Sequence, residues 1–157
     1  MTLFINNKKN METTLVLLKP DTIQRSLVWQ VISRFEAKWL KIVWMKMMQL
    51  DDAIIEEHYD FLMDKPFFPK IKEYMTSAPI VAMAISWANA IATVRALWWA
   101  TNPAEANPWT IRWDFGLTID ANIMHASDSQ ETALKELNRF FKWEWIFEYN
   151  KITDDIL

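Results

Sequence analysis

The stretch ETTLVLLKP at residues 12–20 decides the start of the fold, because it reads as a buried strand with a defined end. Its four central apolar residues predict a strand over residues 12–19, and Pro20 ends that strand because proline cannot continue a ladder. A second apolar run predicts a strand over residues 40–50. Between the two strands, a helix over residues 27–38 is predicted from four apolar residues at the i, i+3, i+4 and i+7 spacing, namely Val28, Val31, Ile32 and Phe35.

The rest of the chain continues this alternation of strands and helices. After the second strand we predict a helix from Asp51 or Asp52 to about residue 62, a turn between Pro66 and Pro69, and a short helix to residue 75. A strand over residues 79–85, a helix over residues 88–97 and a long loop over residues 98–115 follow. The last predicted elements are a strand over residues 117–125 and a helix that Ser127 begins through a capping box with Gln130.

This order of elements predicts a fold class. Short strands separated by helices indicate an α/β sandwich with one main sheet. With the central helical pair set aside, the order is βαββαβ, the ferredoxin-like arrangement, in which helices lie on the faces of a four-stranded antiparallel sheet. The length of 157 residues predicts one domain over residues 12–149, with a disordered extension at residues 1–11 and a short tail at residues 150–157.

Charge and composition exclude some classes of protein. The net charge is −3 and no run of lysine or arginine is long enough for a nucleic-acid arm, so we expect no nucleic-acid partner. The N-terminus lacks the apolar core of a signal peptide, and no segment is long enough to span a membrane. Cysteine is absent, so disulfides are impossible and we expect a cytoplasmic protein.

The balance of glycine and tryptophan is abnormal, with one glycine and ten tryptophans. Several tryptophans stand where a chain usually has glycine, such as Trp39 after a predicted helix and Trp109 after Pro108 in the predicted loop. Some bacterial lineages read the codon UGA as glycine where another common code reads tryptophan. We therefore expect many of these positions to be glycine codons; the alternative is a chain that is truly rich in tryptophan. Tryptophans encoded by UGG would contradict the first interpretation.

Two histidines could carry chemistry, and spacing alone favours ordinary roles for both. His58 lies in a polar helical segment and is expected to be solvated. His125 ends an apolar strand, where a buried, hydrogen-bonded imidazole is the first expectation, although a neutral imidazole is also a capable nucleophile toward phosphorus. Glu136, on the following helix, reads by itself as a surface residue.

The run NIMHASD at residues 122–128 changes this interpretation, because it resembles the N-x-x-H-[GA]-S-D signature of nucleoside diphosphate kinases. The resemblance covers roughly residues 12–149. It includes seven further segments in the same order: TLVLLKPD (14–21), QRSLV (24–28), EEHYDF (56–61), KPFFP (65–69), ATNPAEANP (100–108), TIR (110–112) and DFGLTI (114–119). Family members commonly have glycine at Trp29, Trp39, Trp44, Trp87, Trp99, Trp109 and Trp113, whereas Trp98, Trp143 and Trp145 are less clear.

The resemblance implies a two-step phosphoryl transfer through His125 as a pros-phosphohistidine, from ATP or another nucleoside triphosphate to a nucleoside diphosphate. It implies that Glu136 orients His125 and that Ser127 hydrogen-bonds nearby. It further implies Mg²⁺ held mainly by the nucleotide, and a homo-oligomer of six or four copies. The implied contacts with phosphate or sugar are Lys19, Tyr59, Arg95, Thr101, Arg112 and Asn122, and the implied contacts with the base are Phe67, Ile71 and Ile119.

Other interpretations of these motifs are weaker. Asp114-Phe115-Gly116 spells the DFG of protein kinases, but the chain is too short for that fold and has no HRD. No phosphate-binding P-loop is present, even with every tryptophan read as glycine. Two alternatives remain, namely a catalytically silent nucleotide- or nucleic-acid-binding module on the same fold, and a purely structural oligomer.

Overall fold

A four-stranded antiparallel sheet forms the centre of the molecule. The computed structural model describes residues 11–141 and 146–152. The strands are β1 (Met11–Leu18), β2 (Lys41–Met48), β3 (Ile80–Ala88) and β4 (Met124–Ala126), and their order across the sheet is β2-β3-β1-β4. All three strand pairs are antiparallel, and β1 and β3 are central. The predicted ferredoxin-like sheet is confirmed.

Seven α-helices are present in the part of the chain that the structure describes. They are α1 (Pro20–Gln24), α2 (Val28–Ala37), α3 (Asp52–His58), α4 (Phe68–Thr76), α5 (Ala90–Trp98), α6 (Ile111–Phe115) and α7 (Gln130–Phe141), with 3₁₀ turns at Asp60–Leu62 and Pro103–Glu105. Within 11–141 and 146–152, none of these helices is both long and apolar enough to cross a membrane.

The apolar run of β1 is buried because both faces of the sheet are covered. Leu15 and Leu17 point to a core shared with α3, α4 and α7, whereas Val16 and Leu18 point to a core shared with α2 and α5. Successive side chains of a strand point to opposite faces, so one run of four apolar residues contributes to both cores. The start of β1 is at Met11, which pairs with Ala88.

The predictions for residues 98–126 are partly wrong. The predicted loop contains α6, because the Thr110 side chain accepts a hydrogen bond from Trp113 N at 3.4 Å and so caps a helix. The strand predicted over residues 117–125 is only the three-residue β4, since a turn bonds the Leu117 amide to the Ala121 carbonyl. Ile123, with a φ of 75°, cannot lie in a strand.

Helix ends also differ from the predictions at two places. Pro20 does not simply stop β1 but is the first residue of α1, a position where its missing N–H is harmless. The predicted capping box at Ser127 is wrong, because Ser129 Oγ accepts the Thr132 amide at 3.1 Å and α7 begins at Gln130. The predicted cap at Asp51 is confirmed, since its carboxylate accepts the Ile54 amide at 2.9 Å.

The tryptophans differ in backbone conformation and in burial. Trp39 and Trp109 have φ of 65° and 69°, in the left-handed region that favours glycine. Trp98 instead lies in α5 with 7% of its surface exposed and belongs to the core. Trp143 and Trp145 lie outside the described residues.

Candidate active site

His125 is the central residue of β4, an edge strand, and pairs with Leu17 of β1. Its Nε2 lies 2.8 Å from Oε1 of Glu136, which is buried on α7. The other carboxylate oxygen accepts a hydrogen bond of 2.5 Å from the hydroxyl of Ser127. Because a carboxylate only accepts hydrogen bonds, Nε2 must donate, and the lone pair of the ring is then on Nδ1. In the neutral ring, this geometry makes Nδ1 the nitrogen that is available for a ligand or for attack.

Two cations and an amide lie beside this histidine, and we call Lys19, Arg112, Asn122 and His125 the basic pocket. Lys19 Nζ donates to Asn122 Oδ1 at 2.7 Å. The amide nitrogen of Asn122 donates to the carbonyls of Thr101 and Ile119 at 3.2 and 2.7 Å. One side chain thus connects the end of β1 to the two loops that the sequence predicted to contact a nucleotide.

Arg112 is buried and held by backbone carbonyls. Its guanidinium donates to the carbonyls of Asn122, Ala100 and Met124 at 3.0, 2.9 and 2.8 Å, which leaves two of its five N–H groups for a ligand. Its Cζ also lies 3.7 Å from the centroid of the Trp98 ring. An anion that binds here would therefore contact a guanidinium that is already held in position.

The electrostatics of the pocket favour an anionic ligand. Burial, followed by the nearby Arg112, lowers the pKa of Lys19 to about 8. Burial and Arg95 lower the pKa of Arg112 to about 9. Two like charges that lie close together and partly away from water repel each other, so the binding of an anion between them is favoured. Phosphate-binding sites use this effect.

Arg95 lies on α5, near enough to Arg112 of the basic pocket to lower its pKa. Its guanidinium packs over the rings of Trp98 and Trp99 at 5.7 and 5.2 Å. It also lines an open groove of about 980 Å³ that includes Asp128 but not His125. This groove does not contain the histidine, so the chemistry of the side chains, rather than the volume of a cavity, identifies the site.

Tyr59 directly follows α3 and lies near the Glu136 carboxylate. Burial, followed by the Glu136 charge, raises the pKa of its phenol above the usual range. The phenol therefore keeps its proton at every physiological pH and can donate a hydrogen bond.

The predicted base contacts lie on two neighbouring segments. Phe67 immediately precedes α4 and is 49% exposed, while Ile119, in the loop before β4, is 58% exposed. Lys70 of α4 and Asp120 of that loop form an ion pair of 2.7 Å, which brings the two segments side by side. Ile71 packs against the core below them. Exposed apolar side chains on both segments suit a flat ring held between them.

His58 is where the sequence prediction is wrong. Instead of being solvated, it is 6% exposed and its ring lies 4.7 Å from that of His125. The sequence does contain a signal, because His58 follows the buried Ile55 by three residues and so shares its helix face. Arg139, which contacts His58 Nδ1 at 3.2 Å, was also missed.

His58, His125 and Glu136 form the one group of potential metal ligands found among residues 11–141 and 146–152, with ligand atoms within 4.8 Å of one another. Two imidazoles and one carboxylate suit transition metals, whereas Mg²⁺ prefers oxygen ligands. The donor set therefore does not fit a protein-held Mg²⁺.

Comparison with known proteins gives one consistent match. The family model described as nucleoside diphosphate kinase matches residues 12–146. The chain is 49% identical over 145 residues to the nucleoside diphosphate kinase of Archaeoglobus fulgidus, covering 92% of this chain and 96% of that protein. For the enzyme of Pyrococcus horikoshii the identity is 46% over 146 residues, covering 91% and 93%. A solved structure of a halophilic nucleoside diphosphate kinase from Halobacterium salinarum, in complex with CDP, superposes with a TM-score of 0.89 at 35% identity, covering 94% of this chain and 98% of that one.

Proposed function

Because the chain belongs to the nucleoside diphosphate kinase family, we propose that His125 is the residue through which it transfers phosphate. The reaction follows from the family: the γ-phosphate of a nucleoside triphosphate passes to a nucleoside diphosphate by a ping-pong mechanism through a phosphohistidine. The observation that carries the assignment is the 2.8 Å contact of Nε2 with buried Glu136, which leaves Nδ1 as the nucleophile. The buried Arg112 is held at the carbonyl of the preceding residue, Met124.

In the first half-reaction, the Nδ1 lone pair of His125 forms a bond to the γ-phosphorus. The bond from that phosphorus to the bridging oxygen breaks, and its electron pair leaves with the nucleoside diphosphate. The Nε2 proton stays on the ring, where Glu136 stabilises the positive charge that develops. Ser127 holds the second carboxylate oxygen, so Glu136 keeps its orientation.

The second half-reaction reverses these steps with another nucleoside diphosphate. A terminal oxygen of its β-phosphate attacks the phosphorus, the N–P bond breaks and the electron pair returns to Nδ1. The attacking oxygen is already an anion, so no general base is needed. Positioning and charge neutralisation then account for most of the catalysis, as is usual for phosphoryl transfer.

The remaining site residues divide between the phosphates, the sugar and the base. Lys19, Arg95 and Arg112 neutralise the phosphates, with arginine suited to this by its permanent charge and planar fork. Tyr59, Thr101 and Asn122 donate or accept hydrogen bonds at the phosphates or sugar. Phe67, Ile71 and Ile119 hold the base by stacking and apolar contact, which every base permits, so broad base specificity is expected.

Magnesium enters this scheme as part of the substrate. A nucleoside triphosphate carries Mg²⁺ between its β- and γ-oxygens, where the ion neutralises charge. The substrates are therefore Mg²⁺ complexes of ATP and of other nucleoside triphosphates, together with nucleoside diphosphates.

We also propose that the protein is a homo-oligomer of four or six copies and works in the cytoplasm. On the edge strand β2 the Val43 carbonyl already accepts the Phe147 amide at 3.0 Å. Beyond it, Met45 and Met47 are 43% and 61% exposed, and this part of the edge is available for contact with a second copy. The absence of cysteine is typical of proteins in a reducing compartment. Light scattering of the purified protein measures the number of copies, and a monomer would contradict the first proposal.

The test of the reaction uses ATP labelled at the γ-phosphate. The protein should become labelled in a form that acid removes and alkali does not, and addition of unlabelled CDP should transfer the label to CTP. The variant His125→Ala should not be labelled, and ATP labelled at the α-phosphate should label neither protein. A labelled His125→Ala protein would mean a different nucleophile. A folded protein that binds CDP without ever being labelled would indicate the silent binding module.

A further inference from the structure

Glu136 and Arg139 are three residues apart on α7, yet they form no ion pair within residues 11–141 and 146–152. Opposite charges at this spacing are neighbours on one face of a helix and usually interact. The guanidinium of Arg139 instead turns to the end of α3. Its Nε lies 2.8 Å from Oε1 of Glu57, and its Nη1 lies 3.2 Å from Nδ1 of His58. A cation that could neutralise Glu136 is thus held elsewhere.

His58 is the side chain that stands between these two charges. Its Nδ1 is 3.2 Å from Arg139 Nη1 and 3.7 Å from Oε1 of Glu136. The same carboxylate oxygen accepts the hydrogen bond from His125 Nε2. The rings of His58 and His125 are nearly perpendicular, at 86°, with centroids 4.7 Å apart. The two imidazoles therefore face one oxygen from two directions.

The surroundings of His58 fix its protonation state. Burial is the largest cause that lowers its pKa well below 6.5, and electrostatic interactions with His125, Arg139 and Lys19 act in the same direction. Glu57 and Glu136 are the acidic groups that face this site, and the Tyr59 ring, 4.7 Å away, is neutral. A neutral His58 that accepts from Arg139 at Nδ1 must carry its proton on Nε2.

That proton has no hydrogen-bond partner among the described side chains and backbone groups, although Nε2 is buried. A buried polar group without a partner destabilises the fold. An apolar ring at position 58 would avoid this destabilisation. The presence of a histidine at this position therefore calls for a role that the nitrogen atoms, and not the packing of the ring, perform.

We propose that His58 is a positioning residue that keeps Arg139 away from Glu136. By accepting the Arg139 N–H at Nδ1 while remaining neutral, it leaves the full charge of Glu136 to His125. Without this acceptor the guanidinium would turn to the carboxylate three residues before it. The Glu136 to His125 hydrogen bond would weaken, and the positive charge that develops on His125 during attack would be less stabilised. This inference rests on the proposed role of His125.

The test compares variants that separate the ring of His58 from its acceptor. His58→Phe keeps the ring and removes the acceptor, whereas His58→Asn removes the ring and places an amide oxygen near the Nδ1 position. The measurement is the single-turnover rate of phosphoenzyme formation at saturating ATP. We expect a loss of about tenfold or more in His58→Phe, the effect of weakening one hydrogen bond to a charged group. His58→Asn should lose less than about threefold, and ADP affinity should stay within about twofold in both.

The double variant His58→Phe/Arg139→Gln provides the readout that a packing role would not change. Removing the guanidinium also removes the competitor for Glu136, so the double variant should be faster than His58→Phe alone. In the NMR spectrum, the His125 Nε2 proton signal should shift in His58→Phe and return toward its original position in the double variant. His58→Leu, which also removes the acceptor, substitutes for His58→Phe if that protein does not fold.

Three results would overturn the inference: an unchanged rate in folded His58→Phe, an equal loss in His58→Asn, or no recovery in the double variant. Failure of the proposed function is a separate observation, because the unsubstituted protein would then not be labelled by ATP at all.

Discussion

Ile123, which follows Asn122 of the basic pocket, and Trp109 on the surface share a left-handed backbone but differ in their surroundings. Both have a left-handed backbone, with φ of 75° and 69°. Ile123 is fully buried, and its carbonyl accepts hydrogen bonds from Lys19 N at 2.8 Å and from the Thr22 hydroxyl at 2.5 Å. Its amide donates to the buried carboxylate of Asp21 at 3.3 Å. Several strong contacts therefore hold a conformation that a β-branched residue rarely adopts.

Trp109 has no comparable support. It is 84% exposed, and the contact at its backbone is a hydrogen bond of 3.1 Å from Arg34 Nη1 to its carbonyl. Strained backbone persists where its surroundings over-determine it, and it clusters at functional sites for that reason. The left-handed backbone at Ile123 thus belongs to the pocket, whereas the one at Trp109 belongs to a turn that suits glycine.

The largest expected effect is at Trp98, the tryptophan that packs in the core beneath Arg112. Trp98→Gly should lower the free energy of unfolding by about 4 kcal/mol, because it leaves a cavity and places glycine in a helix. Urea denaturation measures the change. An unchanged stability would contradict the distinction between core and surface tryptophans.

Ile123→Gly should lower the free energy of unfolding by about 2 kcal/mol. Loss of the buried side chain costs about 2–5 kcal/mol, and relief of the left-handed strain returns about 1–2 kcal/mol. Ile123→Ala is the matched control, since it loses most of the side chain but keeps the strain, and should be less stable than the glycine variant. Urea denaturation of both proteins measures the difference. A glycine variant more stable than the original protein would mean that the strain at Ile123 is not supported by its contacts.

Trp109→Gly and Trp39→Gly should each raise the free energy of unfolding by about 1–2 kcal/mol, because glycine adopts a left-handed backbone without strain. Trp29→Gly is the control: Trp29 is also exposed but lies in α2, so glycine there should cost up to about 1 kcal/mol. Thermal unfolding measures all three. Equal changes at positions 39, 109 and 29 would show that backbone conformation is not the cause.

The smallest expected effect is a pH dependence at Lys19, whose pKa is lowered to about 8 by burial and by Arg112. A phosphate ligand favours the charged lysine, so ADP affinity should fall above pH 8, by up to about tenfold per pH unit. The stability of the protein without a ligand has the opposite dependence on pH. The unfolded chain holds this proton up to about pH 10.5, so stability rises with pH between 8 and 10.5. Calorimetry at pH 7 and pH 9 measures the affinity, and an equal slope in Lys19→Arg would contradict the assignment to Lys19.

The sequence predicted the elements that have a strong apolar period and missed those built by local contacts. The βαββαβ order followed from β1, α2, β2 and their later counterparts, because burial on a sheet or helix face leaves a periodic pattern. The helix α6 and the short β4 could not be read in this way. Their bounds depend on the Thr110 cap and on the turn at residues 117–121, and single hydrogen bonds leave little trace in composition.

The same contrast holds in the site. The motif at residues 122–128 pointed to His125, and in the structure Glu136 contacts the His125 ring while Ser127 donates to Glu136. The roles assigned to these residues stay predictions. His58 and Arg139 were missed because their importance comes from contacts between α3 and α7, which lie far apart in the sequence. The prediction that glycine belongs at several tryptophan positions remains a prediction, and the backbone at Trp39 and Trp109 supports it at those two positions.

The side chain of Asn122, which joins Lys19 to the carbonyls of Thr101 and Ile119, has a consequence for engineering. In the proposed site it joins the end assigned to the phosphates to three segments at once, while the residues proposed to hold the base, Phe67 and Ile119, are exposed. The two ends can therefore be redesigned separately. Substitutions of the Phe67 side chain could adapt the enzyme to bulky or fluorescent nucleotide analogues while the alignment of the reacting phosphate is preserved.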